Sequence, residues 1–360
     1  MDHQEKEVNL PEVAEPKDPT PEIDASPSTR FLKPKRSSVR AFISILLAFA
    51  LGLSSGYFAW GRPTAPAETA LKPSVTPTTE HEHTVTIDMA AIAQQVNPPE
   101  GYTLPVKLGD LGSQLVAAGA IDYQKFVKVY ADAGQPLTDE QIAILTKGRN
   151  QPIAIKSDNA YFLLNFFWAV GLTNQNTILT TGPMMTPSGP PPQSGGYGQN
   201  GQENIGNFAS TGGWTIGSRS PIELYASTAL FTFSAEQQRR LEEVAQNVFR
   251  PCCDNPTHFP DCNHGMAMLG LLELMAAQNA TVDEMFTAAK YVNAFWYPQQ
   301  SLEQAVAFKA AKSLDYAQVD ARELTSAKFS SGTGFKGVHQ WLANNGLLQQ
   351  GPGGGNNCGV

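Results

Sequence analysis

Charge is scarce in this chain of 360 residues: Asp, Glu, Lys and Arg together make up 16% of it, where soluble proteins carry roughly 25%. What charge there is leans acidic, with a net value of −8. Without a basic excess there is no electrostatic footprint for a phosphate backbone, which excludes nucleic acid as a partner. Signature loops are scarce too. No Gly-x4-Gly-Lys phosphate loop, no His-Glu-x-x-His and no EF-hand loop is present. Strand patterns are few, with "TVTIDM" (84–89) and "QPIAIK" (151–156) as the clear candidates. Cysteine is limited to four residues and histidine to six. Their distribution is therefore informative.

One stretch has no charge at all. "AFISILLAFALGLSSGYFAW" (41–60) follows the basic run "KPKRSSVR" (33–40). Twenty apolar residues suffice for a helix to cross a bilayer core about 30 Å thick. Tyr57 and Trp60 close it as interfacial aromatics, and the bases ahead of it keep the N-terminus cytoplasmic. A cleaved signal peptide is the competing reading, weakened by the forty or so residues that precede the run. The expectation is a single-pass anchor whose partner is the lipid bilayer, with the remainder exported.

Proline and glycine divide the rest. Residues 1–40 form a cytoplasmic tail, disordered by its Pro/Glu-rich composition, with the basic flank at its end. Residues 61–84 form a flexible stalk, in which His81 and His83 read as solvated linker histidines. Two helical subdomains are expected over 85–181 and 207–347, separated by a Gly/Pro-rich loop at 182–206, and residues 348–360 form a flexible Gly-rich tail.

The fold class is mostly α. Ser or Thr followed three residues later by Glu or Gln predicts helix starts at Thr138/Gln141, Ser220/Glu223, Ser234/Gln237, Thr281/Glu284 and Ser301/Gln304. "DNAYFLLNFFWAVGL" (158–172) is apolar almost all round and predicts a central buried helix. Asn165 and Asn293 interrupt apolar runs and need hydrogen-bond partners, in a neighbouring helix or a loop backbone. His339 reads as a packing histidine on an amphipathic helix, and "NFASTGGWTIGSRS" (207–220) as a surface loop that could reach the site described next.

That site is "RPCCDNPTHFPDCNHGMAM" (250–268), which gathers three of the four cysteines and two of the six histidines. Pro251 ends the helix before it. A second helix starts near Asp261, with Asp261 or Asn263 as cap. That puts Cys262 at a helix N-terminus, where the dipole favours a thiolate.

Four readings compete. As a metal site, Cys252, Cys253, Cys262 and His264, with His258 and the distant Cys358 as further candidates, would hold zinc or copper. Met266 and Met268 stand four residues after Cys262 and His264 and would favour copper as ligands, although apolar surroundings read as core filler. As a disulfide cluster, Cys262 would pair with Cys252 or Cys253, leaving the other for Cys358, and the exported domain would be an interaction module for another envelope protein. As a thiol enzyme, Cys262 or Cys253 would need an activating histidine, and no orienting Asn or Asp motif stands out. Accidental packing is disfavoured by so many thiols and imidazoles around prolines in one loop.

"CCDNPTHFPDCNHGMAMLGLLELMA", "NAYFLLNFFWAVGL" and the closing "GGGNNCGV" resemble a group of single-pass envelope proteins of bacteria and archaea to which no activity is assigned. The resemblance covers nearly the whole exported domain and implies an envelope location without implying a reaction.

Overall fold

The computed structural model describes residues 87–185 and 205–348. The segment 41–60 expected to span a membrane, the segment 61–84 expected to form a stalk, with His81 and His83, most of the 182–206 loop and the segment with Cys358 lie outside them. Among the described residues no helix is long and apolar enough to cross a membrane.

The described chain is mostly helical. In order it runs α1 (Met89–Val96), β1 (Tyr102–Gly109), α2 (Leu111–Ala117), α3 (Tyr123–Asp132), α4 (Asp139–Thr146), β2 (Arg149–Ile155), α5 (Ala160–Thr173) and α6 (Thr177–Thr180). After residue 204 come α7 (Ala209–Gly212), α8 (Pro221–Leu224), α9 (Ala235–Asn247), α10 (Asn263–Ala277), α11 (Val282–Trp296) and α12 (Pro298–Lys312). Three more close the described chain: α13 (Ala321–Leu324), α14 (Ala327–Ser330) and α15 (Gly332–Asn344).

Local chemistry explains most of these boundaries. Thr138, Ser220, Ser234 and Thr281 each accept from the backbone three residues on, while the Gln or Glu there reaches back to the cap. Ser301 departs from this pattern. Pro298 occupies the first helical position, where its fixed φ and missing N–H suit a helix start, so α12 begins earlier and Ser301 N–H already donates to Tyr297 O at 2.9 Å. Gln304 is instead buried and donates to Phe329 O at 2.7 Å and Ser330 Oγ at 2.9 Å.

The strand reading holds for 151–156, which fall in β2 apart from Lys156. It fails for the described end of 84–89, where Asp88 caps α1 by accepting from Ala91 N–H at 3.1 Å. The partner of β2 is β1, antiparallel, with Tyr102 opposite Ile155 and Gly109 opposite Arg149. Leu104, Val106 and Leu108 alternate inward along β1, a period-two pattern that Pro105 disguises in the sequence. Gln278 extends this small sheet: its amide donates to Lys107 O at 2.6 Å and accepts from Lys107 N–H at 2.9 Å.

Two helices form the centre. α5 is buried over nearly its whole surface, as is α10. Trp296 Nε1 donates to Ala160 O at the start of α5, and its ring lies 5.9 Å from that of His264 at the start of α10. At the far end Asn174 lies beside Glu273. The two helices therefore run side by side in the same direction. Their backbones touch at Gly171 and Gly270, where an added Cβ would run into Met266 O and Phe167 O respectively.

Side chains from both sides of 186–204 enter one core built on β1, β2, α5, α9 and α10. A second core joins α1, α12, α15 and the turns between 316 and 324. α11 serves both, with Phe286 and Val292 in the first and Ala294 in the second. Asn165 donates to Tyr130 OH of α3 at 2.9 Å, and Asn293 to the loop carbonyl of Phe249 at 3.0 Å. Both interior amides are thus satisfied as their apolar settings require. His339 is exposed; its Nδ1 lies at hydrogen-bond distance, 2.7 Å, from Glu303 Oε2, and its ring lies 6.2 Å from that of Phe335.

Glu273 is fully buried on α10, and neither carboxyl oxygen has a hydrogen-bond partner among the described residues. Burial holds its carboxyl well above the ordinary range, and the nearby Asn174 amide offsets only part of this. The folded protein keeps this proton at pH values where the unfolded chain releases it, so stability falls as pH rises above the ordinary carboxyl pKa of about 4.3. Glu273→Gln removes that loss. It is expected to exceed the parent in denaturation midpoint at pH 8, by a margin that shrinks as pH falls toward that ordinary pKa; a pH-independent margin would refute a neutral buried acid. Gly171→Ala is expected to lower stability by about 1–3 kcal/mol in urea unfolding. An exposed helical glycine would respond with the opposite sign.

Candidate metal centre

The loop carrying the thiols is folded against the end of α9. Val248 O accepts from both Thr257 N–H (2.8 Å) and Thr257 Oγ1 (3.0 Å), and Ala245 O accepts from His258 N–H at 2.8 Å. Pro251, Pro256 and Pro260 limit the conformations between these anchors. The loop ends where α10 begins, and the cap is Cys262 itself: its sulfur accepts from Gly265 N–H at 3.4 Å. Asp261 and Asn263, the expected caps, are occupied elsewhere. Asp261 pairs with Arg250, and Asn263 Oδ1 contacts His264 Nδ1 at 2.9 Å.

Arg250 is the hub. Its side chain is buried, and each nitrogen has a partner. Nε donates to Cys262 Sγ at 3.0 Å, Nη1 to Asn255 O at 2.9 Å, and Nη2 to Asp261 Oδ1 at 2.7 Å and Phe259 O at 3.4 Å. Asn255 Nδ2 braces the other Asp261 oxygen at 2.9 Å. Gly265 makes this arrangement fit, because a Cβ there would overlap the guanidinium. Burial works against the arginine's charge, but the sulfurs, Cys262 foremost, and Asp261 outweigh it and raise its pKa further.

Around this cation the three sulfurs of Cys252, Cys253 and Cys262 lie within 4.8 Å of one another and could hold a metal ion. All three are free thiols. The Sγ atoms of Cys252 and Cys262 are 3.6 Å apart, and Tyr297 OH donates to Cys252 Sγ at 3.0 Å. Their protons are unequally held. Hydrogen bonds from Cys252 and Cys253, with Arg250 adding its charge, hold Cys262 well below the ordinary thiol range. Cys252 is driven up by its donation to Cys253 and Cys262 and by burial. A hydrogen bond with Cys252 pulls Cys253 down, but its bond to Cys262 and its burial push it up to about 12. Cys262 Sγ therefore faces both the guanidinium and Cys252, while Cys253 Sγ donates to Asn255 O at 3.9 Å and to Asp261 Oδ1 at 3.8 Å.

Neither histidine joins the sulfur triangle, although His264 lies close enough to Cys262 to interact with it electrostatically. His264 stacks on Tyr297 with ring centroids 4.6 Å apart, one residue removed from Cys252. Burial pulls its pKa down to about 4, which keeps it neutral at pH 7. His258 is half-buried near Glu242, and burial lowers its pKa as well. Neither is within the 4.8 Å group of sulfurs. Met266 and Met268 are buried in the first core, as apolar helical residues of their pattern usually are. Cys358 lies outside the described residues.

The 207–220 segment lies at the surface over much of its length, but Phe208, Ser210, Thr211 and Trp214 turn inward, and it packs against the thiol loop. Ser210 N–H donates to Asp261 O at 3.1 Å, and Phe208 packs edge-on to Phe259. Trp214 is buried and donates from Nε1 to Ala120 O at 2.7 Å. A depression of about 210 Å³ lined by Glu140, Arg149 and Lys156 shares no residue with the thiols.

Arg250, Gly265 and Tyr297 shape the sulfur cluster through these contacts, and the sequence reading did not single them out. An arginine directly before Pro-Cys-Cys and a glycine in the first turn after Cys262 were the available signals. Tyr297 had none, lying 45 residues from its sulfur partner. No protein-family model, curated protein or solved structure matches the chain.

In the metal-free protein, Cys262 is expected to be alkylated by iodoacetamide with a pH midpoint below that of Cys252 or Cys253. Arg250→Met should move that midpoint upward, because the thiolate loses its cation. Peptide mapping after alkylation across a pH series measures both; equal midpoints at all three sites would contradict the charge distribution described above.

Proposed function

We propose that this is a membrane-anchored extracytoplasmic protein that binds a transition metal, zinc or copper, through Cys252, Cys253 and Cys262. Residues 41–60 serve as the anchor, by the length and charge flanks of that segment. The observation that carries the metal reading is the sulfur triangle. Sulfurs separated by 3.6–4.8 Å leave the centre of the triangle roughly 2–3 Å from each, which spans the metal–thiolate bond length of about 2.3 Å. Hydrogen bonds to loop backbone and the buried guanidinium hold this spacing before any ion arrives, which lowers the ordering cost of binding. Zinc would take a fourth ligand, for which His264 and Cys358 are the candidates, and would give the site a structural role. Copper would suit trafficking or sensing. No catalytic role is assigned, since the histidine beside the thiols faces an amide and an aromatic ring instead of an orienting carboxylate.

A second reading draws on the same 3.6 Å separation of Cys252 and Cys262. Closing it to a disulfide of about 2.05 Å needs a small shift, and an oxidising compartment would favour it. The module would then stabilise an interaction with another envelope protein.

The two readings differ in metal and thiol content. The full chain, purified in detergent without chelator, is expected to carry about one zinc or copper ion by elemental analysis, and to lose it in Cys262→Ser. Three thiols should become alkylatable only after the ion is removed. Absence of metal, with no free thiol until reductant is added, would establish the disulfide reading instead.

A further inference from the structure

We infer that the ion this site selects is monovalent copper, held by three sulfurs alone, in preference to zinc. The inference rests on the metal-binding reading above and names its cargo. Three features lead to it.

The first is the donor count. Among the described residues the group closes at three thiol sulfurs, with no imidazole or carboxylate atom within 4.8 Å of all three. Asp261 Oδ1 lies 3.8 Å from Cys253 Sγ, but that oxygen is held by Arg250 at 2.7 Å. Cu(I) is soft and is satisfied by thiolates in low coordination, whereas zinc in a closed site takes four ligands.

The second is the chemistry around the sulfurs. Arg250 Nε and Gly265 N–H donate to Cys262 Sγ, and Tyr297 OH donates to Cys252 Sγ. These donors lie close enough to compensate negative charge that builds on the sulfurs when a metal replaces their protons. Three thiolates around Cu(I) carry two negative charges in all, against one for zinc. A fixed guanidinium 3.0 Å from one sulfur stabilises the more negative assembly more strongly.

The third is rigidity. The sulfurs are set by the burial of Arg250, by the Pro-bounded loop and by the Tyr297 hydroxyl on Cys252. A fourth ligand from the described part of the protein would require the loop or the start of α10 to shift, because no described imidazole or carboxylate lies within 4.8 Å of all three sulfurs. On binding, Cu(I) replaces the thiol protons, which pass to solvent; the metal keeps its oxidation state and no electron is transferred.

The test is an anaerobic competition on the full chain. Cu(I) is supplied as its bicinchoninate complex, and zinc chloride is then added in about hundredfold excess. The expected result is transfer of one Cu(I) per chain from the chelator, retention against zinc, and an X-ray absorption spectrum with three sulfurs in the first shell. Cys253→Ser should weaken Cu(I) retention at least tenfold, while His264→Ala and Cys358→Ser should leave it unchanged. Displacement of copper by zinc, or loss of copper in either of the last two variants, would overturn the inference and leave the metal-binding reading standing. If the chain takes up neither ion, the metal-binding reading fails and the inference falls with it. Circular dichroism of each variant separates loss of ligand from loss of fold.

Discussion

The buried guanidinium of Arg250 is the constraint on which the rest of this site depends. A charge taken out of water costs several kcal/mol unless it is paired and hydrogen-bonded, and Arg250 is 1% exposed. Its partners are a sulfur, a carboxylate and two backbone carbonyls, all drawn from residues 255–262. Satisfying one cation therefore folds the whole loop. Cys262 is brought to the start of α10 by the same bonds that keep Arg250 inside, and the other two sulfurs follow from the two-residue step between Arg250 and Cys252. The thiol cluster is thus built on a structural ion pair, with its negative partner partly supplied by sulfur.

Placement in the fold gives the loop a wider reach. It sits between the two cores. On one side α10, which Cys262 caps, packs its backbone against α5 through the Gly171–Gly270 contact. On the other, Cys253 O accepts from Gly332 N–H at 2.8 Å, and Asp254 takes Thr333 N–H and Oγ1 at 2.6 and 2.8 Å, which together anchor the first turn of α15. Phe249 N–H donates to Thr325 O at 2.8 Å, and Asn293 secures the Phe249 carbonyl. α11 links both cores and delivers Tyr297, just past its end, to Cys252. Because rigid elements converge on it from both sides, the sulfur geometry is set by the scaffold and not by the loop alone.

Legibility in the sequence tracked the range of the interaction concerned. Capping boxes are local, satisfied within three residues, and four of the five formed; Ser301 failed because Pro298, three residues upstream, offered a better start. The all-round apolarity of 158–172 and of the helix after Cys262 is a statement about burial, and both are central. β1 escaped because Pro105 breaks the strand pattern, and its pairing with β2 is decided by residues some fifty positions away. The 207–220 segment looked like surface because it is polar and glycine-rich, yet Ser210 and Thr211 are buried where short side chains let the backbone approach α10.

By itself, the sequence determined the mostly helical class, the helix starts and the presence of a thiol-rich loop between two helices, because each follows from residue type and short-range spacing. It also carried the apolar segment at 41–60 that motivates the membrane reading. Only the tertiary structure decided which members of the loop meet. It drew Cys252, Cys253 and Cys262 together, turned His264 onto Tyr297 and sank Met266 and Met268 into the core. The reason is that a buried charge must find its partners in three dimensions. Arg250 found its own among sulfur, carboxylate and carbonyl, in a space left open by the missing side chain of Gly265.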